Sequence, residues 1–153
     1  MYFNFIMDSL LRRTLVKEPV HGRYQLGLNK NRVTCVYSEG FNVTGVKQLT
    51  NDLLRMTAGL SYWVLFQRPE PSAGIIQDAI PEMMQGYVKL QQSGCLAVGI
   101  VERSIFVFAG IPYHPKELVM PINIHPDESK ILRWLDEIEM QHRTAMSSLP
   151  CGE

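Results

Sequence analysis

The chain has 153 residues, 46% of them hydrophobic and 20% charged, with fifteen basic residues balanced by fifteen acidic ones. That size fits one domain with a core of its own, and both fractions are ordinary for a globular protein. The cancelled charge argues against nucleic acid as a main partner, since such binding rests on a basic field; Arg12-Arg13 is the only dense basic pair. Cys35, Cys95 and Cys151 have neither metal-ligand nor CxxC spacing. Their odd number and the lack of a disulfide framework point to a reducing compartment, so a cytoplasmic location is expected. No apolar run approaches the ~18–20 residues of a membrane span. The start, MYFNFIMDSLLRR, lacks the early positive charge and small-residue cleavage site of a signal peptide.

Residues 1–20 form a terminal segment in which Phe3, Ile6, Leu10, Leu11 and Leu15 fall near helical spacing. A short amphipathic helix that docks on the body or mediates dimerisation competes here with a loosely packed terminus. Arg23 to Leu28 alternates as a strand, Asn29-Lys30-Asn31 reads as a hairpin turn, and Arg32 to Tyr37 is its antiparallel partner. Val33, Cys35 and Tyr37 share one face of that second strand. Asn42 then caps a helix whose stripe is Val46, Leu49, Leu53, Met56 and Leu60, with Gly59 as its stop. The apolar run Tyr62 to Phe66 reads as a central strand parallel to the second, covered on both faces.

A turn cluster, Arg68-Pro69-Glu70-Pro71-Ser72-Ala73-Gly74, follows that strand. Ile75, Ile76, Ala79 and Ile80 begin a helix that Pro81 interrupts, and a fresh helix runs from Pro81 to Gln92. Gly94 ends it, and Cys95 to Val101 is another buried strand. Periodicity does not decide between strand and short apolar helix for the stretch from Ser104 onward; Pro112 and Pro115 mark a loop after it. Met120 to Ile124 reads as a last strand. Pro126-Asp127-Glu128 opens a helix with the core stripe Ile131, Leu132, Leu135 and Ile138. From about residue 144 the chain reads as a frayed tail. These elements predict an α/β domain over residues 21–143 with four or five strands.

The opening hairpin followed by Ser38-Glu39-Gly40-Phe41-Asn42, the run Ser93-Gly94-Cys95-Leu96-Ala97-Val98, and the closing Ile131-Leu132-Arg133-Trp134-Leu135 resemble the SpoIIAA-like family of STAS domains. Ile131-Leu132 depart from the small residue usual in the last motif. The resemblance covers roughly residues 22–140 and rests on the order and spacing of the motifs. It implies a mixed sheet with helices packed mainly on one face. In the anti-sigma antagonists of this family, a serine at the helix start after the third strand is phosphorylated by a partner kinase. Ser72 falls at the matching position and Gly74 is kept, but Pro71 replaces the usual acidic neighbour. A phosphate on a helix N-terminus would be favoured by the dipole and free N–H groups, whereas a plain turn role for Ser72 needs no such chemistry.

His21, His114, His125 and His142 lie far apart and show no HxH, HxxxH or HExxH spacing, so no metal site is expected. Neither GxSxG nor a Gly-rich phosphate loop occurs, and Cys95 sits in an apolar run where a thiol is ordinarily core. No cofactor or enzymatic activity is therefore expected. One reading is a non-enzymatic regulatory module acting through protein contacts or as a homodimer, with Arg68, Glu70, Ser72 and Gly74 as its binding loop. The alternative is a carrier or sensor of a small, lipid-like apolar ligand lying between helix 75–92 and the sheet. Its candidate lining is Ile75, Ile76, Met83, Met84, Phe106 and Phe108, all of which also suit an ordinary core. SpoIIAA-like domains resemble lipid-binding Sec14-type domains in helix–sheet layout, which fits this second reading.

Overall fold

The computed structural model describes residues 19–149, so the expectations for the helical spacing of Phe3 to Leu15 and for Cys151 lie outside the described residues. Strands β1 (Arg23–Asn29) and β2 (Arg32–Ser38) form the expected hairpin, with Lys30 taking the left-handed backbone conformation (φ 57°) that closes the turn. A two-residue strand β3 (Gly40–Phe41) leads into α1 (Val43–Met56). Asn42 caps this helix as expected: its Oδ1 accepts from Gly45 N at 2.8 Å and from His21 N at 3.1 Å, and its Nδ2 donates to Pro19 O. The helix stops at Met56, earlier than the stop expected at Gly59, because the Thr57 backbone already has non-helical dihedrals and its hydroxyl donates back to Leu53 O.

Strand β4 (Trp63–Pro69) follows, then the short β5 (Gly74–Ile75), α2 (Ile80–Gln92), β6 (Cys95–Val101), β7 (Ile122–His125) and α3 (Glu128–Ser147). β4 is longer than the expected Tyr62–Phe66, and takes in Gln67 together with Arg68 and Pro69 of the predicted turn cluster. Proline ends a strand without penalty where its missing N–H faces no acceptor. The helix expected to begin at Ile75 is instead β5 and a single 3-10 turn, Gln77–Ala79. Further on, α3 continues to Ser147, past the residue-144 start of the expected frayed tail.

Five strands make the main sheet in the order β1-β2-β4-β6-β7, with β1 antiparallel and the rest parallel; β3 and β5 pair separately and in parallel. Alternation along the strands assigns the two faces. Val33, Cys35, Trp63, Leu65, Val98 and Ile100 face α1 and α2, while Val64, Phe66, Ala97 and Val101 face Ile131 and Leu135 of α3. Two of the three α-helices among the described residues therefore share one face, and the third covers the other. The α3 face is closely packed. Gly99 has no side chain to offer there, and a Cβ on it would stand 2.5 Å from Cγ2 of Ile131. Arg32 ties the outer part of this face together, 2.6 Å from both Asp136 and Glu139.

Candidate functional site

On the opposite face the layers do not close. Between the sheet and the pair α1–α2 lies a cavity of about 690 Å³, within the range of small-molecule sites. α1 contributes Val46, Leu49, Thr50 and Leu53, and α2 contributes Met83, Met84, Gly86, Tyr87 and Leu90. The sheet supplies Tyr37, Gln67, Ile100, Ile122 and Ile124. At Gly86 the two helices come close, since a Cβ there would stand 2.6 Å from the Thr50 hydroxyl. That close approach brings α1 and α2 together above the space that their side chains line.

The remaining wall is the segment between β6 and β7, a strap over residues 104–119 built from two 3-10 turns, Ile105–Phe108 and Ile111–Tyr113. This settles the stretch that periodicity left open: it is neither strand nor α-helix. Polar clamps hold the strap at both ends. At one end Ser104 Oγ donates to Ala73 O at 2.6 Å, and at the other Gln91 accepts from Val119 N and Met120 N and donates to Glu117 O. Between the clamps the strap seats by apolar contact, with Phe106 against Gly74 and Gly110 against the sulfur of Met84. Its outer surface is unusually apolar, for Ile105 is 87% exposed and Ile111 is 62% exposed.

Of the apolar candidates, Ile75, Met83, Met84, Phe106 and Phe108 line this cavity together; Ile76 does not, being exposed beside β5. The polar groups on the lining are few. Thr50 and Ser104 direct their hydroxyls to main-chain carbonyls, and His114 Nε2 lies 2.8 Å from Leu118 O, a contact in which the ring must donate. Deep on the sheet, Tyr87 donates its hydroxyl to Gln67 Oε1 at 3.0 Å. Burial raises the phenols of Tyr37 and Tyr87 well above their ordinary range, which keeps both neutral. No Asp, Glu, Lys or Arg lines the cavity among the described residues.

No protein-family model matches the sequence, and no curated protein matches it. Among solved structures, the chain resembles the crystal structure of an uncharacterised protein of the DUF3478 family from Shewanella loihica PV-4, described as having a SpoIIAA-like fold. The TM-score is 0.51 at 14% identity, over 78% of this chain and 98% of the other. The chain has a SpoIIAA-like fold.

Within this SpoIIAA-like fold, the predicted binding loop does not gather into one cluster. Arg68 lies on β4 with its side chain on the α3 face, 3.3 Å from Glu128 at the start of α3. Its Nε makes no well-aligned hydrogen bond there despite being buried. Glu70 and Ser72 are exposed, and Ser72 Oγ accepts from Glu39 N at 3.3 Å. Ser72 is not at a helix N-terminus, because β5 and the 3-10 turn intervene before α2 begins at Ile80. The physical ground for favouring a phosphate at that position is therefore removed. Gly74 belongs to the cavity wall instead.

Cys95 is buried, and burial pushes its thiol up to about 12, as it does that of Cys35; neither carries the thiolate that a nucleophile needs. His125 Nδ1 accepts from Asp127 N beside the α3 cap, the helix-start role its sequence position suggests. The ring of His142 lies tilted against that of Tyr62, with ring centroids 4.5 Å apart. Among the described residues no three His, Cys, Asp or Glu side chains group as metal ligands, and no helix is long and apolar enough to cross a membrane.

Sequence reasoning passed over Gln67 and Tyr87. The available signal was parity: once β4 extends past Phe66, Gln67 falls two residues after Leu65 and so faces inward, a polar side chain in a core position. Tyr87 falls on the buried face of α2, and helical spacing alone gives no account of where its hydroxyl goes.

Proposed function

We propose that this protein is a non-enzymatic binding module that holds a small apolar ligand between α1–α2 and the sheet. The observation that carries this reading is the uncharged cavity of about 690 Å³, walled on three sides by regular elements and on the fourth by the strap. Sites of this size and lining bury most of the surface of a small ligand, and their affinity comes from apolar contact. Two methionines on α2 suit it to ligands of irregular outline, since their unbranched side chains adjust to a shape.

Protein contacts enter as the output of the same site. Ala73 carries the carbonyl that anchors Ser104, and Gly74 supports Phe106, so the exposed loop at Glu70 and Ser72 is continuous with the cavity wall. A partner docked on that loop would read the position of the strap. This makes the module a sensor as well as a carrier.

Native mass spectrometry of the protein purified from its own host is the direct test. A co-purifying small mass that is lost on denaturation is expected, and Leu49→Trp, which fills the cavity from α1, should reduce its occupancy at least ~10-fold with helicity unchanged. A bare mass in the unaltered chain, together with no uptake of added hydrocarbon probes, would sink the reading.

A further inference from the structure

The cavity has a polar end. Gln67 is 5% exposed on the central strand β4, and its Oε1 is taken by Tyr87. Its Nε2 faces the cavity and has no hydrogen-bond partner among the described residues. This holds whichever way the amide is turned. In the opposite orientation Nε2 would donate to the Tyr87 oxygen, and the phenolic proton would then be the free one. Either way, the pair presents a donor that the protein does not satisfy. A donor that opens onto the cavity and is unpaired with the protein marks a position for an acceptor on the ligand.

Of the other polar side chains on the lining, only Tyr37 has a hydroxyl without a hydrogen-bond partner among the described residues, and it lies on the sheet face that carries Gln67. Thr50, Ser104 and His114 are bonded to main-chain carbonyls, and Asn123 alternates with Ile122 and Ile124, which face the cavity side. With no Lys or Arg on the lining, a carboxylate or phosphate seated at Gln67 and Tyr87 would lose its hydration for a single hydrogen bond, a penalty far larger than that bond returns. An uncharged acceptor loses much less.

We infer that Gln67 and Tyr87 form a head-group site for a neutral amphiphile, a hydrocarbon chain or ring system ending in one carbonyl or ester oxygen, with Gln67 and Tyr87 giving the hydrogen bond and the Met- and Ile-lined space taking the tail. This inference rests on the cavity reading above and adds to it the polarity and charge of the ligand.

The test is calorimetric titration with three probes of equal chain length: methyl nonyl ketone, undecane and undecanoate. In the unaltered chain the ketone should bind at least ~10-fold more tightly than undecanoate, because only the ketone enters without a charge. The double variant Gln67→Leu/Tyr87→Phe removes both polar groups together, so neither is left unpaired. It should weaken the ketone by ~10-fold and leave undecane within about twofold, the size expected for one net hydrogen bond. Equal changes for ketone and alkane would make the pair purely structural, and undecanoate binding as tightly as the ketone would mean that charge is accepted; either overturns the head-group assignment while the cavity reading stands. Failure of all three probes to bind would remove both. Thermal melts accompany the variants. Tyr87→Phe alone, which deletes a single oxygen, carries the comparison where the double variant does not fold, and the ketone–carboxylate contrast needs no variant.

Discussion

The two faces of the sheet are made of similar residues and do opposite things. Under α3, Val64, Phe66, Ala97, Val101, Ile131 and Leu135 close into a packed layer, and Gly99 is small enough to let the helix settle against β6. Under α1 and α2 the same strands carry Trp63, Leu65, Val98 and Ile100, yet a cavity remains. Burial of apolar residues is common to both, so burial alone does not distinguish core from site. The difference lies in geometry. One helix lying along a sheet can follow its surface, whereas two helices joined to each other at Gly86 and Thr50 bridge a space that a strap with little regular structure must wall off.

The largest expected contrast is in truncation. Leu135→Ala on the packed face should cost about 3 kcal/mol of stability, since its neighbours have no room to collapse. Met83→Ala on the cavity wall should cost only about 1 kcal/mol, because that half-buried side chain already lacks neighbours on one side. Urea unfolding of the two variants measures the contrast; equal losses would mean that the faces are packed alike. Enlargement should sharpen it in the reverse sense. Gly99→Ala should cost about 2 kcal/mol, as its Cβ would press on both Ile131 and Leu135. Ile122→Phe, which grows into the cavity, should change stability by no more than about 0.5 kcal/mol and lower probe affinity at the same time.

A further contrast is a pH dependence on the cavity face. Cys35 and Cys95 both lie there, and burial raises each thiol from an ordinary 9.0 to about 12. The folded state thus holds these protons more tightly than the unfolded chain does. Their contribution is fully present below about pH 9 and is lost as the pH climbs toward about 12. The unfolding midpoint should fall across that window, and less steeply in a Cys35→Ala/Cys95→Ala variant. An unchanged slope in that variant would place the titration elsewhere. The packed cluster under α3 contains no titratable side chain to add to it.

How much of this could be read in advance follows from which residues carry periodic information. The hairpin, α1, β6 and the start of α3 announce themselves by alternation, helical spacing and caps such as Asn42 and Asp127. The two-residue strand Gly74–Ile75 has no period to detect, and its own glycine with the prolines before it reads as a turn opening a helix. The strap defeats periodicity for the same reason, since a 3-10 turn of three or four residues is shorter than any repeat. Most of the apolar lining was visible as residue type, because Met83, Met84, Phe106 and Phe108 stand out in the sequence. What was hidden is that they face a space rather than each other, which depends on how α1 and α2 meet. Gln67 was lost with the C-terminal half of β4, where Arg68 and Pro69 disguise a strand as a loop.

The way the strap is held would also separate how tightly a guest of the proposed site is kept from how long it stays. Its ends are fixed by Ser104 and Gln91, while its middle leans on Gly74 and Met84 through apolar contacts alone. Residence time would then be governed by how often the middle lifts, and affinity by the walls that do not move. Substitution at Gln91, which holds the strap without lining the cavity, would change the rates of entry and exit together and leave their ratio nearly constant. Exchange speed and binding strength could thus vary independently in one small domain.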